Sequence, residues 1–329
     1  MTDKSEWLAK TVEQVIEPEL EICDPHHHVW EYPGSRYLLE EFLQDFDSGH
    51  NIVSTVFVEC LQKYREKGPE TLKPVGETEF VATLSEGNSS SIHIAKGIVA
   101  FADLRLGEAV NSVIDAHRQA SKRVCGFRYS TARDDDDRVH NSHTNPAPEL
   151  LADNKFRKGL SQVDKAGLVF DSWVFFHQLP ELIALARAFP QLQIVLNHVG
   201  GPLGIGPYKD KREEVFELWR EHIKALSACD NVAVKLGGMT LSMMGFGWHK
   251  RDVPPGSNEL AEAMAPYYQT CIEYFTPQRC MFDSNFPVDK ASSSYTVLWN
   301  AFKKISKDYS MDERRNLFHD NAIRIYQLD

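Results

Sequence analysis

Asp24, His26 and His28 stand two residues apart in the run Ile22-Cys23-Asp24-Pro25-His26-His27-His28-Val29-Trp30. Imidazole nitrogens and carboxylate oxygens are ligands for a divalent ion, and imidazoles can also polarise a carbonyl or hold an oxyanion. In an extended chain alternate side chains share a face. The run therefore sets Asp24, His26 and His28 on one side, with Pro25 and His27 on the other. Two imidazoles at a strand end can grip one ion or one oxyanion without moving the backbone. Apolar residues flank the histidines on both sides, so the run reads as a core strand rather than a solvated cluster.

The rest of the chain supplies elements of the kind that could position such a group. A β-branched run, Asn51 to Cys60, ends at Glu59. Further strands are read at 93–104, ending at Asp103; at 124–129, ending at Arg128; at 167–177, ending at His177; at 193–198, ending at His198; at 231–236, ending at Lys235; and at 280–287, holding Asp283 and Asn285. Nearly continuous apolar strands belong to buried parallel sheets. Helical patterns separate most of them. Eight strands alternating with helices predict an α/β fold, a single-domain (β/α)8 barrel of the TIM type, over residues 21–329. An open doubly wound sheet is the competing architecture. Residues 1–20 are read as a helical arm, its helix running from Ser5 to Ile16 and stopped by Pro18.

Composition narrows the function. The 329 residues carry 36 basic and 47 acidic side chains, a formal net charge of -11. A general affinity for nucleic acid or anionic membrane needs a basic face, so neither is an expected partner. No apolar run is long enough for a signal segment or a membrane span. The six cysteines never form a Cys-x-x-Cys pair. They read as free thiols in a reducing compartment, which points to the cytoplasm. There, Asn88-Ser89-Ser90 would have no meaning as a glycosylation pattern. The four aspartates 134–137 read as a solvated loop. The expected partner is a small-molecule substrate, and a homodimer is compatible with the chain.

In a barrel of this type catalytic side chains lie at the C-terminal ends of strands. The strand ends here read His26 and His28, Glu59, Asp103, Arg128, His177, His198, Lys235, then Asp283 with Asn285. Packing alone does not end Val/Ile/Phe/Leu strands in this way. Singly, each has a plainer reading: Glu59 or Asp103 as a cap, Lys235 as a buried paired lysine, His177 as a satisfied core histidine.

The motifs Asp24-Pro-His26-His27-His28-Val-Trp30, Gly126-Phe-Arg128, His177-Gln-Leu-Pro180, Asn197-His198-Val-Gly-Gly-Pro202, Val234-Lys235-Leu-Gly-Gly238 and Met281-Phe-Asp283-Ser-Asn285-Phe-Pro287 resemble the second amidohydrolase family, Amidohydro_2, which includes lactonases of sugar acids and of pyrone dicarboxylate. The resemblance implies a barrel with its site at the C-terminal mouth. It implies His26, His28 and His177 as metal ligands, with zinc foremost among divalent ions, although operation without a metal also fits the family. Arg128 matches an arginine that grips a substrate carboxylate or lactone oxygen. The family's last strand usually ends in an aspartate that serves as general base. Asn285 stands there instead, and its amide cannot accept a proton. Asp283, on the same strand face about 7 Å away, is the expected substitute; Asp289 is the weaker one.

The reading is a hydrolase that opens a small carboxylated or aromatic-derived lactone by attack of water. Asp283, His198, Arg128, Lys235 and Asn285 are its catalytic set. Trp30, Glu59 and Trp248 join Arg128 in holding substrate, with Trp248 in a lid-like loop that begins at Met239. The alternative is a metal-dependent decarboxylase of an aromatic or unsaturated acid, with Asp24 as a ligand. A ligand-binding barrel without catalysis rests on Asn285 alone.

Overall fold

The computed structural model describes residues 4–86 and 90–328; the Asn88 pattern lies outside them. The strands in chain order are β1 (Glu21–His27), β2 (Trp30–Tyr32), β3 (Ser35–Tyr37), β4 (Asn51–Val58), β5 (His93–Ala100), β6 (Val124–Ser130), β7 (Val169–Trp173), β8 (Ile194–Leu196), β9 (Val232–Leu236) and β10 (Cys280–Phe282). β2 and β3 form a small antiparallel hairpin above the end of β1. The other eight make one parallel sheet in the order β1-β4-β5-β6-β7-β8-β9-β10. The two outer strands meet through a parallel bridge between His27 and Phe286. The sheet is thereby a (β/α)8 barrel with helices around it.

Strand alternation sorts the core into two parts. Cys23, Val56, Val58, Val99, Val169, Val195, Ala233 and Met281 form one cluster, completed by Tyr326 and Leu328 from the end of the chain. These C-terminal side chains stop the lower opening of the barrel. A much larger cluster, with Phe57, Phe127, Phe170, Leu196 and Phe282 among its members, lies between strands and helices.

The closure of the barrel is bonded through the main chain and through one carboxylate. Asn285 N donates to His26 O at 2.9 Å, and His28 N donates to Phe286 O at 2.7 Å. Asp24, fully buried, accepts from the backbone N–H of His26 and Ser284, from the Ser284 hydroxyl and from the Tyr295 hydroxyl. Burial raises its pKa to about 6, with the Ser284 bonds working the other way. One side chain thus fixes the chain before His26 and after Asp283.

The arm differs from expectation. Its helix covers only Ser5–Leu8. Thr11, Val12, Val15 and Ile16 are β-branched and poor helix formers. Tertiary bonds hold the chain instead: Lys4 to His249 O and Ala291 O, Trp7 to Arg251 O, Lys10 to Asp252 O, and Thr11 to Pro254 O. The arm is laced along the loop that follows β9.

Removing the Tyr295 hydroxyl deletes one of four bonds to Asp24, so Tyr295→Phe should cost about 1–3 kcal/mol. Asp24→Ala, which strands every donor, should cost more. Urea unfolding midpoints of the two variants test this ordering, and equal midpoints would mean that the seam does not hang on Asp24.

Candidate active site

Three side chains from distant parts of the chain converge at the C-terminal end of the barrel. One ligand atom from each of His26, His198 and Asp283 lies within 4.8 Å of the other two. His26 is on β1, His198 follows β8 and Asp283 follows β10. The His26 and His198 rings are 4.6 Å apart between centroids. His26 and Asp283 have no exposed surface, and His198 is 4% exposed.

Two glycines make this proximity feasible. A Cβ on Gly237 would collide with the Asp283 carboxylate, and one on Gly238 would collide with the His198 ring. Gly238 also has φ +70, a conformation that costs glycine little. His198, Val199 and Asn285 adopt positive φ without being glycine. Such backbone strain gathers at sites where surrounding structure over-determines the chain.

The electrostatics follow from burial. Desolvation pushes the Asp283 carboxyl well above the usual carboxylate range, with nearby Lys235 working against it. Desolvation pushes His26 and His198 well below the usual histidine range; Lys235 and Arg128, respectively, add to it. Both Asp283 oxygens and the Nδ1 atoms of His26 and His198 are buried without a hydrogen-bond partner. Such orphaned groups are costly. Two imidazole nitrogens and a carboxylate are a donor set for one divalent ion that leaves a coordination position open. The side chains present therefore fit a metal.

Around this group the expected residues divide. His28 adjoins it, its ring 5.0 Å from that of His26. Its Nδ1 donates to Val58 O at 2.8 Å, which fixes the tautomer. Trp30 stacks against His28 with ring centroids 6.3 Å apart. Arg128 is close as well, with Nη1 3.3 Å from His26 Nε2. Its other edge is taken: Nε donates to Glu59 Oε1 at 2.7 Å and Nη2 to Glu59 O at 2.6 Å. The buried Glu77 carboxylate in turn accepts from the N–H groups of Cys60 and Gln62, which holds the turn after Glu59.

Others stand apart. His177, expected as a ligand beside His26 and His28, turns to Arg133 O at 3.1 Å, and neither His177 nor His28 belongs to the converging group. The backbone carries His177 into a short helical turn past the end of β7, beyond the reach of strand alternation. Lys235 donates to Asp171 Oδ2 at 2.6 Å, and both are fully buried. Asn197 and Tyr326 also bond Asp171. Lys235 is thus a paired lysine below the group, and its partner is Asp171. Asn285 donates to Asp289 Oδ1 at 3.0 Å, away from Asp283. The strand ends at Phe282 and φ of Asn285 is +52, so the shared face expected for the two residues is lost. Trp248 is core-packed, stacked 4.3 Å from Phe246 and bonded to Glu259. Asp103 caps its own turn through Arg105 N. Asp134, read as part of a solvated loop, is buried and accepts from Tyr208.

Two neighbours escaped the sequence reading. Trp173 meets the His198 ring edge-on at 4.9 Å. It ends β7, and a tryptophan at a strand end was the signal available. His143 Nε2 lies 3.4 Å from Glu59 Oε2. It sits in the long polar loop after β6, where nothing in the sequence marks it.

The family model described as amidohydrolase matches residues 23–328. The chain belongs to this family. The amidohydrolase is 33% identical to an uncharacterized protein, y4mH, of Sinorhizobium fredii, over 94% of this chain and 99% of the relative. It is 22% identical to the L-fucono-1,5-lactonase of Burkholderia multivorans over 93% of this chain and 95% of that enzyme. A solved Burkholderia multivorans amidohydrolase with bound zinc shares the fold, with TM-score 0.73 and 21% identity, over 94% of this chain and 99% of the solved one. With lactonases among its relatives, the amidohydrolase is a hydrolase.

Lys235→Met should destabilise the protein by about 3–5 kcal/mol, because it strands the buried Asp171 charge; guanidinium unfolding measures it. Glu77 supplies a pH test. Burial, then the Glu59 charge, raises its pKa above 4.5. The folded state therefore binds more protons than the unfolded one above about pH 4.5, and stability should fall as pH rises through that window. Glu77→Gln keeps the acceptor for Cys60 and Gln62 and should flatten that slope in unfolding midpoints taken from pH 5 to 8.

Proposed function

We propose that this amidohydrolase opens a lactone by attack of water at the barrel mouth. The observation that carries the reading is the convergence of His26, His198 and the unpartnered Asp283 carboxylate beside Arg128. Asp283 takes the proton from the attacking water. His198 and the Nη1 end of Arg128, which also reaches His26, face the oxygen on which charge develops. Trp30 and Trp173 wall the site behind His28 and His198.

His26, His198 and Asp283 are the residues that would hold a divalent ion, with zinc as the ion proposed. When bound, it polarises the carbonyl and acidifies water. The six cysteines are free, which supports the cytoplasmic setting. No helix among the described residues is long and apolar enough to cross a membrane.

Arg128 and a relative bear on the substrate. A bidentate grip on a carboxylate needs two parallel N–H donors. Glu59 already occupies two of the three guanidinium nitrogens. The Nη1 and second Nη2 hydrogens stay available to a carboxylate or a hydroxyl oxygen, so Arg128 does not choose between them; we propose a ring bearing hydroxyl groups, the kind named for the Burkholderia lactonase relative. Asp24 spends its oxygens on four donors in the seam, which leaves it poorly placed as the ligand that the decarboxylase reading needs.

Acid release from hydroxylated and carboxylated lactones, beside carbon dioxide release from hydroxybenzoates, tests the reading. Hydrolysis of hydroxylated lactones is expected, with a loss of about 10²–10⁴-fold in Asp283→Asn. Release of carbon dioxide without lactone opening would overturn it. Elemental analysis, with chelation and zinc restoration of activity, tests the ion; full activity after complete metal removal would assign polarisation to the imidazoles.

A further inference from the structure

Opening a lactone needs two proton movements. Water loses a proton as it adds to the carbonyl, and the ring oxygen gains one as its bond to carbon breaks. Asp283 serves the first. The second calls for a donor near the far side of the ring. In the closed sheet order β1-β4-β5-β6-β7-β8-β9-β10, β6 lies diametrically opposite β10. A donor carried by β6 or the loop after it would face Asp283 across the mouth.

Most polar groups of the mouth are committed elsewhere. Lys235 is bound to Asp171, His28 Nδ1 to Val58 O and His177 Nε2 to Arg133 O. Arg128 holds its protons at any working pH. His143 differs. It follows β6, its side chain is 29% exposed, and its Nε2 lies at the long distance of 3.4 Å from Glu59 Oε2. That oxygen is buried and has no hydrogen-bond partner. The His143 ring lies against Phe101, 6.1 Å between centroids. Glu59 reaches Arg128, and Arg128 reaches His26, so one continuous set of contacts links His143 to the metal-ligand group.

We propose that His143 is the general acid of the reaction, giving its Nε2 proton to the ring oxygen as it leaves. This rests on the lactonase reading above. Water adds to the carbonyl carbon and Asp283 takes one of its protons. The ring carbon–oxygen bond then breaks with its electron pair on oxygen, and protonated His143 supplies the proton. The products are one hydroxy acid, a protonated Asp283 and a neutral His143; Asp283 releases its proton to solvent and His143, through its exposed edge, takes one up. Burial lowers the His143 pKa below the usual histidine range; of the two charged groups that face it, the Glu59 carboxylate works against this shift and the Arg128 guanidinium adds to it.

The test compares two leaving groups on the full-length protein. An aliphatic sugar δ-lactone expels a poor alkoxide, whereas dihydrocoumarin expels a phenoxide that leaves without help. His143→Gln should lower kcat on the sugar lactone about 10²-fold or more and change kcat on dihydrocoumarin less than about threefold. In the wild type, the sugar-lactone rate should fall with rising pH along a limb that dihydrocoumarin lacks and that His143→Gln loses. Equal losses on both lactones, or one alkaline limb shared by both, would overturn the role while leaving the lactonase reading standing. Failure of the wild-type protein to open either lactone would instead remove the reading itself. The wild-type pH comparison decides the matter even if the variant does not fold.

Discussion

Closing the barrel between β1 and β10 is the constraint on which the site depends. The sheet would otherwise have two edges with unpaired backbone groups. Closure uses only a few main-chain bonds, and the strand at one side of it is three residues long. Asp24 compensates for that shortness. It is the buried acceptor for donors on both sides of the seam, so the residues that follow it, His26 and His28, and those across from it, Asp283 and Asn285, are held in one register. Shifting the seam by one residue would turn His26 out of the barrel and Phe286 in.

The barrel interior also shows how charge is tolerated without water. Lys235 and Asp171 neutralise each other and are further bonded by Asn197 and Tyr326. Arg128 and Glu59 do the same one layer higher. Against these satisfied pairs, Asp283 is an exception among the buried acids, because neither of its oxygens has a partner. A fold that pairs buried charge in this way elsewhere leaves both oxygens of this carboxylate open, next to two imidazole nitrogens that are open as well. That contrast supports a reactive or ion-binding role better than any one residue type does.

The N-terminal arm connects stability with the mouth. Its bonds run to carbonyl groups of the loop between β9 and β10, the same loop that contains Trp248 and begins at the glycines packed on Asp283 and His198. In that loop Phe246 stacks on Trp248 and lies under the Arg212 guanidinium, so the soft, aromatic stretch read as lid-like is packed against the barrel here.

The sequence by itself determined the architecture and the surroundings of the site. Strand runs such as Asn51 to Val58 carry their own period and apolar character, and alternation sets His26 opposite His27, whereas a register shift between Asp24 and His27 breaks the face that Asp24 was expected to share with His26 and His28. Those signals are short-ranged, which is why they could be read along the chain. Tertiary structure decided which residues meet. His198 joins His26 because its backbone turns through positive φ, and His177 departs because a helical turn swings it to Arg133. Lys235 finds Asp171, a residue that no strand-end argument singled out. His143 comes to Glu59 from the middle of a loop. Each of these depends on the closure of the barrel and on the path of a loop between strands, and residue type and spacing specify neither.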